Sequence, residues 1–200
     1  MQHNNILDEI CKASMMKAAT ALSKMLKTPL KIDIKPIEID TIQKINLPNY
    51  SDKMIVCVFV PIKDKVVKGG SSLLFTQKSA FAICDSLLNR TDGSTNKITE
   101  IEESALKELA NIILGNFLTP FAHSLLIGTL LHSPAVFEND MSPEVIKHTR
   151  SLLSKYIDHD TVINIAFGYE HDNKIGDINI VFNSKEINHL LQKLMVISNG

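Results

Sequence analysis

Apolar residues in the first half of the chain recur first with a helical period and then with the period of β-strands. The helical stretch steps by three or four residues and ends before Thr28-Pro29. The next stretch alternates apolar and polar side chains, which is typical of a strand with one buried face. Two further apolar runs flank a polar turn and predict a hairpin, and Thr76 follows them as the N-cap of a helix. The predicted elements are a helix at 6–26, strands at 30–39, 54–62 and 71–75, and a helix that extends to about Leu88.

The second half repeats this order after a polar segment, 89–97, which we interpret as a linker. Thr99 and Glu102 have the spacing of a capping box, in which each side chain binds a free backbone amide of the first turn. A long helix begins there, and Pro120 is expected to bend it near residues 117–121. The elements predicted after this helix are a hairpin of strands at 162–169 and 175–182 and a closing helix at 185–194.

This repeated order indicates an internal duplication. The local sequences agree as well, since the segment from Gly70 to Phe75 parallels the segment from Gly176 to Phe182. We therefore predict one domain over residues 1–200 made of two halves, 1–95 and 99–200, related by an approximate two-fold axis. The order of the elements favours an α+β class.

Composition and charge exclude several functions. With 21 basic and 22 acidic side chains, the net charge is -1, which gives no electrostatic drive toward nucleic acid or an anionic membrane. No apolar run reaches the roughly 18 residues that span a bilayer, and the N-terminus lacks the pattern of a signal peptide. We expect a cytoplasmic protein. Its three cysteines, Cys11, Cys57 and Cys84, lie among apolar residues and are expected to be buried and reduced.

A polar stripe follows the second long helix. Counting about 100° per residue from Ser104, Glu108 falls near 40°, Asn111 near 340° and Gly115 near 20°. Gly115 leaves the stripe without a side chain one turn after Asn111, so another protein could approach closely. The opposite side, which we expect to pack on the sheet, carries Leu106, Leu109, Ala110, Ile113 and Phe117.

Such a stripe could simply solvate an amphipathic helix. Against this stands its composition: Asn within a helix costs up to roughly 0.7 kcal/mol relative to Ala, and Gly costs about 1 kcal/mol. Neither Asn111 nor Gly115 helps the helix to form.

The spacing Ser104-x3-Glu108-x2-Asn111, with Pro134 after 22 intervening residues, resembles the signature of the CheC/CheX/FliY response-regulator phosphatases. The segments 18–26 and 104–112 are similar to the two active helices of CheC. This resemblance implies an antiparallel sheet that carries two long pseudo-symmetric helices on one face.

The resemblance also implies a phosphatase that acts on the phospho-aspartate of a CheY-like receiver domain. Asn111 would orient the attacking water, and Glu108 would pair with a lysine of the receiver and fix the register of docking. Ser104 would belong to the docking surface, and Pro134 would shape the following turn. The chain needs no cofactor of its own, because the receiver is expected to bring its Mg²⁺.

The first helix repeats the stripe with changes. At an offset of 99 residues, Asn5 stands at the place of Ser104, Glu9 at that of Glu108 and Lys12 at that of Asn111. Lysine donates hydrogen bonds but cannot accept one from water. Pro36 also lies one residue off the spacing, so we predict an inactive first site.

Other interpretations remain open at this point. The seven histidines show no metal-ligand spacing, so we predict no metal site; a serine triad stays open, but no Gly-x-Ser-x-Gly elbow supports one. A non-catalytic adapter that binds a receiver or CheD is the alternative function. A flagellar-switch component like FliY would need a further C-terminal domain, and the chain ends at Gly200. The sequence does not identify the receiver.

Overall fold

The computed structural model describes residues 2–45, 47, 50–157, 162–171 and 174–198. Their local patterns fold into helices and strands close to those predicted. The elements are α1 Gln2–Met25, β1 Lys31–Ile34, β2 Glu38–Asp40, β3 Met54–Lys63, β4 Lys68–Thr76, α2 Gln77–Leu87, α3 Glu100–Ser124, β5 Val136–Met141, α4 Ser142–Tyr156, β6 Val162–His171, β7 Lys174–Asn183 and α5 Ser184–Ser198.

The strands form one antiparallel sheet in the order β1-β6-β7-β4-β3-β5, with β2 also paired to β6. The hairpins β3-β4 and β6-β7 meet at the centre, where β4 pairs with β7. The first strand of each half crosses to the other half's hairpin: β1 pairs with β6 and β5 pairs with β3. If β1, β3 and β4 are exchanged with β5, β6 and β7, the same strand order results, read from the opposite edge of the sheet. An internal duplication would produce this order, and the division into halves at 1–95 and 99–200 stays a prediction.

One face of the sheet is covered by the two long helices, α1 and α3, which pack against each other. The amphipathic patterns of these helices direct their apolar sides into one core with the inward residues of β3, β4 and β7. Within it, Phe121 stacks on Phe182 with ring centroids 4.9 Å apart, and Phe117 stacks on Phe121 at 5.4 Å. The predicted α+β class, with two long helices on one face of an antiparallel sheet, is confirmed.

The opposite face of the sheet has its own core, which the sequence patterns did not predict. Helix α4 packs there against β3 and β4, together with the segment that contains Ile42 and Tyr50. The alternation of β3 explains why two cores are needed: Val56 and Val58 face α1 and α3, whereas Cys57 faces α4. A central strand with both faces covered is apolar almost throughout.

The segment 30–39, predicted as one strand, is two short strands. Residues 35–37 interrupt it, and Pro36 lies among them. Because proline has no backbone N–H, it cannot donate to the ladder. Both pieces, β1 and β2, pair with β6. The prediction of a strand in this segment was therefore right, but the prediction that it is continuous was wrong.

The predicted linker, 89–97, is anchored rather than free. The buried carboxylate of Asp85 accepts hydrogen bonds from the backbone of Gly93 and Thr95 at 2.8 and 2.9 Å and from the Thr95 hydroxyl at 2.6 Å. Arg90 donates to the Thr95 hydroxyl at 3.1 Å. These bonds turn the polar segment into an ordered connection that leads into α3.

The three cysteines are buried and free, which confirms that expectation. Burial raises the pKa of Cys57 and that of Cys84 to about 12, so these thiols stay protonated at neutral pH. None of the helices found among the described residues combines the length and apolar character that crossing a membrane requires.

Candidate functional site

The start of α3 is fixed by charged hydrogen bonds. The backbone N–H of Thr99 donates to the Glu102 carboxylate at 2.8 Å and the Thr99 side chain accepts from the backbone N–H of Glu102, which confirms the capping box. The Thr99 hydroxyl also donates to the Glu102 carboxylate. Arg90 lies 2.5 Å from the other oxygen. Hydrogen bonds from Thr99 and then from Arg90 lower the pKa of Glu102 to about 2. The first turn of α3 is thereby tied to the ordered connection that precedes it.

The stripe on α3 lies largely on the outside of the molecule. Ser104 and Glu108 are exposed, and Asn111 is partly buried. Helix α3 remains continuous through Pro120, and the bend expected there stays a prediction. The residues predicted to face the sheet are all fully buried: Leu106, Leu109, Ala110, Ile113 and Phe117.

Asn111 lies at the border between the exposed stripe and the buried face. Its side-chain oxygen is buried and has no hydrogen-bond partner among the described residues. An acceptor left in this state costs about 1–3 kcal/mol. The helical count placed Asn111 fully on the stripe because it treated α3 as isolated. In the folded chain α3 also packs against α1, and its wider buried face, which includes Leu114 and Leu118, reaches Asn111.

Gly115 leaves open space on the stripe. A Cβ built on Gly115 meets no heavy atom of its surroundings within 4 Å. Pro134 is exposed and lies in the connection that precedes β5, next to Ser133, whose backbone N–H donates to Pro61 at 2.8 Å. The structure thus places the other motif residues along one side of α3, and Pro134 on a separate connection.

The stripe of α1 is exposed at Asn5, Glu9 and Lys12. Lys12 forms an ion pair with Asp8 at 2.6 Å, one turn earlier on the same helix. At the place of Gly115 this helix carries Met16, whose side chain is 54% exposed. The sequence analysis missed Met16, although the same offset of 99 residues would have found it.

The described residues contain no group of three or more His, Cys, Asp or Glu side chains that could hold a metal ion. The stripe of α3 offers the carboxylate of Glu108, the carboxamide of Asn111 and the open space at Gly115. Such a surface can bind a partner and hold a water molecule.

The fold and the site define a class: an antiparallel sheet with two paired long helices, one of which exposes a Glu/Asn stripe. Residues 101–135 match the model of the CheC-like family, and this segment contains the stripe and Pro134. The fold is that of solved CheC-like structures, and the resemblance to the CheC/CheX/FliY family is confirmed.

Three solved structures illustrate this likeness. FliY from Thermotoga maritima is 19% identical with a TM-score of 0.70, over 97% of this chain and 96% of that chain. The FliM middle domain from H. pylori is 15% identical with a TM-score of 0.61, over 96% and 98%. A chain of the CheX-CheY-BeF3-Mg+2 complex from Borrelia burgdorferi is 17% identical with a TM-score of 0.58, over 87% and 98%.

Proposed function

We propose that this chain is a cytoplasmic phosphatase that hydrolyses the phospho-aspartate of a CheY-like response regulator in chemotaxis. The observation that carries the proposal is the pairing of an exposed Glu108 with Asn111, whose amide oxygen lacks a partner, on the open side of α3. This pair lies within the segment that matches the CheC-like family model.

Asn111 has the chemistry to orient a water molecule. Its carboxamide carries both a donor and an acceptor and no charge, so it can hold water beside a phosphoryl group without repelling the anion. The water oxygen attacks phosphorus in line with the leaving aspartate carboxylate, whose bond to phosphorus breaks. Asn111 acts by positioning the water and takes up no proton. Because the Asn111 oxygen is buried in the free chain, the side chain would turn outward on docking, and its oxygen would then gain the hydrogen bond that it lacks.

Glu108 supports this step by fixing the docked receiver. It is exposed and so accessible to a charged partner, and such a pair mainly steers docking and fixes its register. A lysine of the receiver would pair with it, and the helix would then hold Asn111 one turn away at a constant distance. Ser104 and Gly115 would form the neighbouring docking surface. The Mg²⁺ that phosphoryl transfer requires would enter with the receiver.

The partner is supported by one structural neighbour, which is a chain of a complex that contains CheX, CheY, BeF3 and Mg+2. The same fold also occurs in FliY and in the FliM middle domain, so fold alone does not assign catalysis. An adapter that binds a receiver or CheD without hydrolysis is therefore the second candidate.

The first experiment measures phosphate release from phosphorylated CheY of the same organism, with and without this protein. We expect wild type to accelerate the release, and Asn111→Ala to reduce that acceleration about 10²-fold, because the water is no longer oriented. Lys12→Ala, at the matching position of α1, is the control and should retain full activity.

Binding distinguishes the adapter. If wild type binds CheY loaded with beryllofluoride and Mg²⁺ but does not accelerate phosphate release, the phosphatase proposal is overturned and the adapter is supported. The same titration with CheD tests that partner directly.

A further inference from the structure

Two adjoining hollows lie along the second half of α3, beyond the proposed catalytic pair. One lies between α3 and α1, and the other between α3 and the connection 125–132; they meet at Gly115, Thr119 and His123. We call this surface the α3 groove and define it by Lys17, Gly115, Thr119, His123, Leu130 and His132.

The α3 groove is continuous with the proposed site. Gly115 follows Asn111 by four residues, so the groove opens about 6 Å further along the helix axis, on the same side. A protein that placed its phospho-aspartate at Asn111 would also cover Gly115. The part of that protein beyond Gly115 would then contact the α3 groove.

The groove has an apolar floor and an apolar margin. Leu118, Ala122 and Leu130 line it and are almost fully buried. On the connection beside it, Leu126 and Leu131 are 61% and 62% exposed. Single exposed leucines are ordinary, but two of them on the connection that borders an apolar floor are typical of a surface that partners cover.

The rim carries basic groups only. Lys17 comes from α1, His123 from α3 and His132 from the connection, and no acidic side chain is among the described residues that line the groove. Lys17 makes no ion pair within the described part of the chain. Its positive charge is therefore free for a partner.

Two of the other polar side chains in the groove already donate hydrogen bonds within α3. The Thr119 hydroxyl donates to the backbone oxygen of Gly115, and the Asn116 amide donates to that of Ile112, both at 2.8 Å. The charge of Lys17 and the apolar floor are therefore the main means of recognition, and they fit a carboxylate next to an apolar side chain.

We propose that the α3 groove is a second docking site for the receiver, which binds an acidic-apolar segment of that protein and thereby selects the receiver that is served. The inference rests on the proposed function for the identity of the partner. The Glu108 contact fixes register at one end of the interface, and the groove adds affinity and specificity at the other.

The test uses Lys17→Glu combined with His123→Glu in the full chain. We expect the Kd for beryllofluoride-loaded CheY to rise at least 10-fold and KM for phosphorylated CheY to rise in parallel, with kcat retained at saturating CheY. Lys17→Arg keeps the charge and should bind as wild type does. Lys155→Glu, on α4 across the sheet, is the matched charge control and should change neither constant.

The outcomes separate the two proposals. If the double variant keeps its circular dichroism spectrum and binds loaded CheY with unchanged Kd, the groove proposal is overturned, whatever the rate of hydrolysis. If wild type fails to accelerate phosphate release but the double variant still weakens binding, the catalytic proposal fails and the groove stands.

Discussion

Helices α1 and α3 bury the same positions and expose different chemistry. At an offset of 99 residues, each of the five α3 residues predicted to face the sheet has a buried counterpart on α1. The pairs are Leu7 with Leu106, Ile10 with Leu109, Cys11 with Ala110, Ser14 with Ile113 and Ala18 with Phe117. The packing pattern therefore tolerates large changes in side-chain volume, provided that the positions stay buried.

The exposed stripes differ in what they leave available. On α1, Lys12 is held by Asp8, and Met16 projects where α3 has the open space of Gly115. On α3, the Asn111 oxygen is unpartnered. The α1 stripe thus carries a paired lysine and a projecting methionine, whereas the α3 stripe carries a carboxamide with an unpartnered oxygen and the open space of Gly115. This difference, rather than the shared scaffold, is the reason to place the function on α3.

The largest expected difference between the two helices is in the stability that the first turn of each contributes. The first turn of α1 has no acidic residue, whereas α3 has Glu102 with a pKa of about 2 against an ordinary value of 4.5. The lowered pKa contributes stability that is present above about pH 4.5 and is lost as the pH falls toward 2. We expect Glu102→Gln to lower the free energy of unfolding by about 3 kcal/mol at pH 7.

Urea unfolding at pH values from 2 to 7 checks this expectation. The gap between wild type and Glu102→Gln should close as the pH approaches 2, because the wild-type carboxylate is then protonated as well. Glu103→Gln is the neighbouring control, because its partly exposed ion pair with Lys107 is worth about 0–1 kcal/mol. A gap that stays constant with pH would show that the charge of Glu102 is not what stabilises the turn.

The second expected difference concerns docking. Glu108→Lys should raise KM for phosphorylated CheY about 10-fold through repulsion of the receiver's lysine. Glu9→Lys, at the matching exposed position of α1, should leave KM unchanged. Steady-state phosphate release measures both variants side by side. Equal effects would mean that both stripes dock the receiver, and an unaffected Glu108→Lys would remove the positioning role of Glu108.

The sequence predicted the parts of the fold that have strong local signals. The capping box at Thr99, the apolar periods of α1 and α3 and the two central hairpins were all found. Strand β5 was missed because five of its six residues are exposed or charged, as in Glu138 and Asp140, so its pairing with β3 decides its conformation. Helix α4 follows it directly, and its signal was the Pro143 near the N-terminus, which was not used.

The candidate site could be located from spacing, but its environment could not. A helical count gives the angle of Asn111 and says nothing about a second helix beside it. The burial of the Asn111 oxygen follows from the packing of α3 on α1 and on the sheet, which is a long-range contact. The α3 groove likewise joins Lys17, His123 and His132 from three segments, a set that no local pattern contains.

The smallest expected effect tests the open space at Gly115 most sharply, because stability and receiver binding should change in opposite directions. Gly115→Met copies Met16 onto α3, at a position where an added Cβ meets no heavy atom of its surroundings within 4 Å. Replacing an interior helical glycine should raise the free energy of unfolding by up to about 1 kcal/mol. The same side chain would separate the receiver from the helix, so binding of beryllofluoride-loaded CheY should weaken several-fold.

Thermal unfolding and a binding titration measure the two effects, with Gly115→Ala expected to gain stability at a smaller cost in binding. A variant that is more stable and binds as tightly as wild type would show that Gly115 is no part of the interface, since only a docked partner has reason to need the missing side chain.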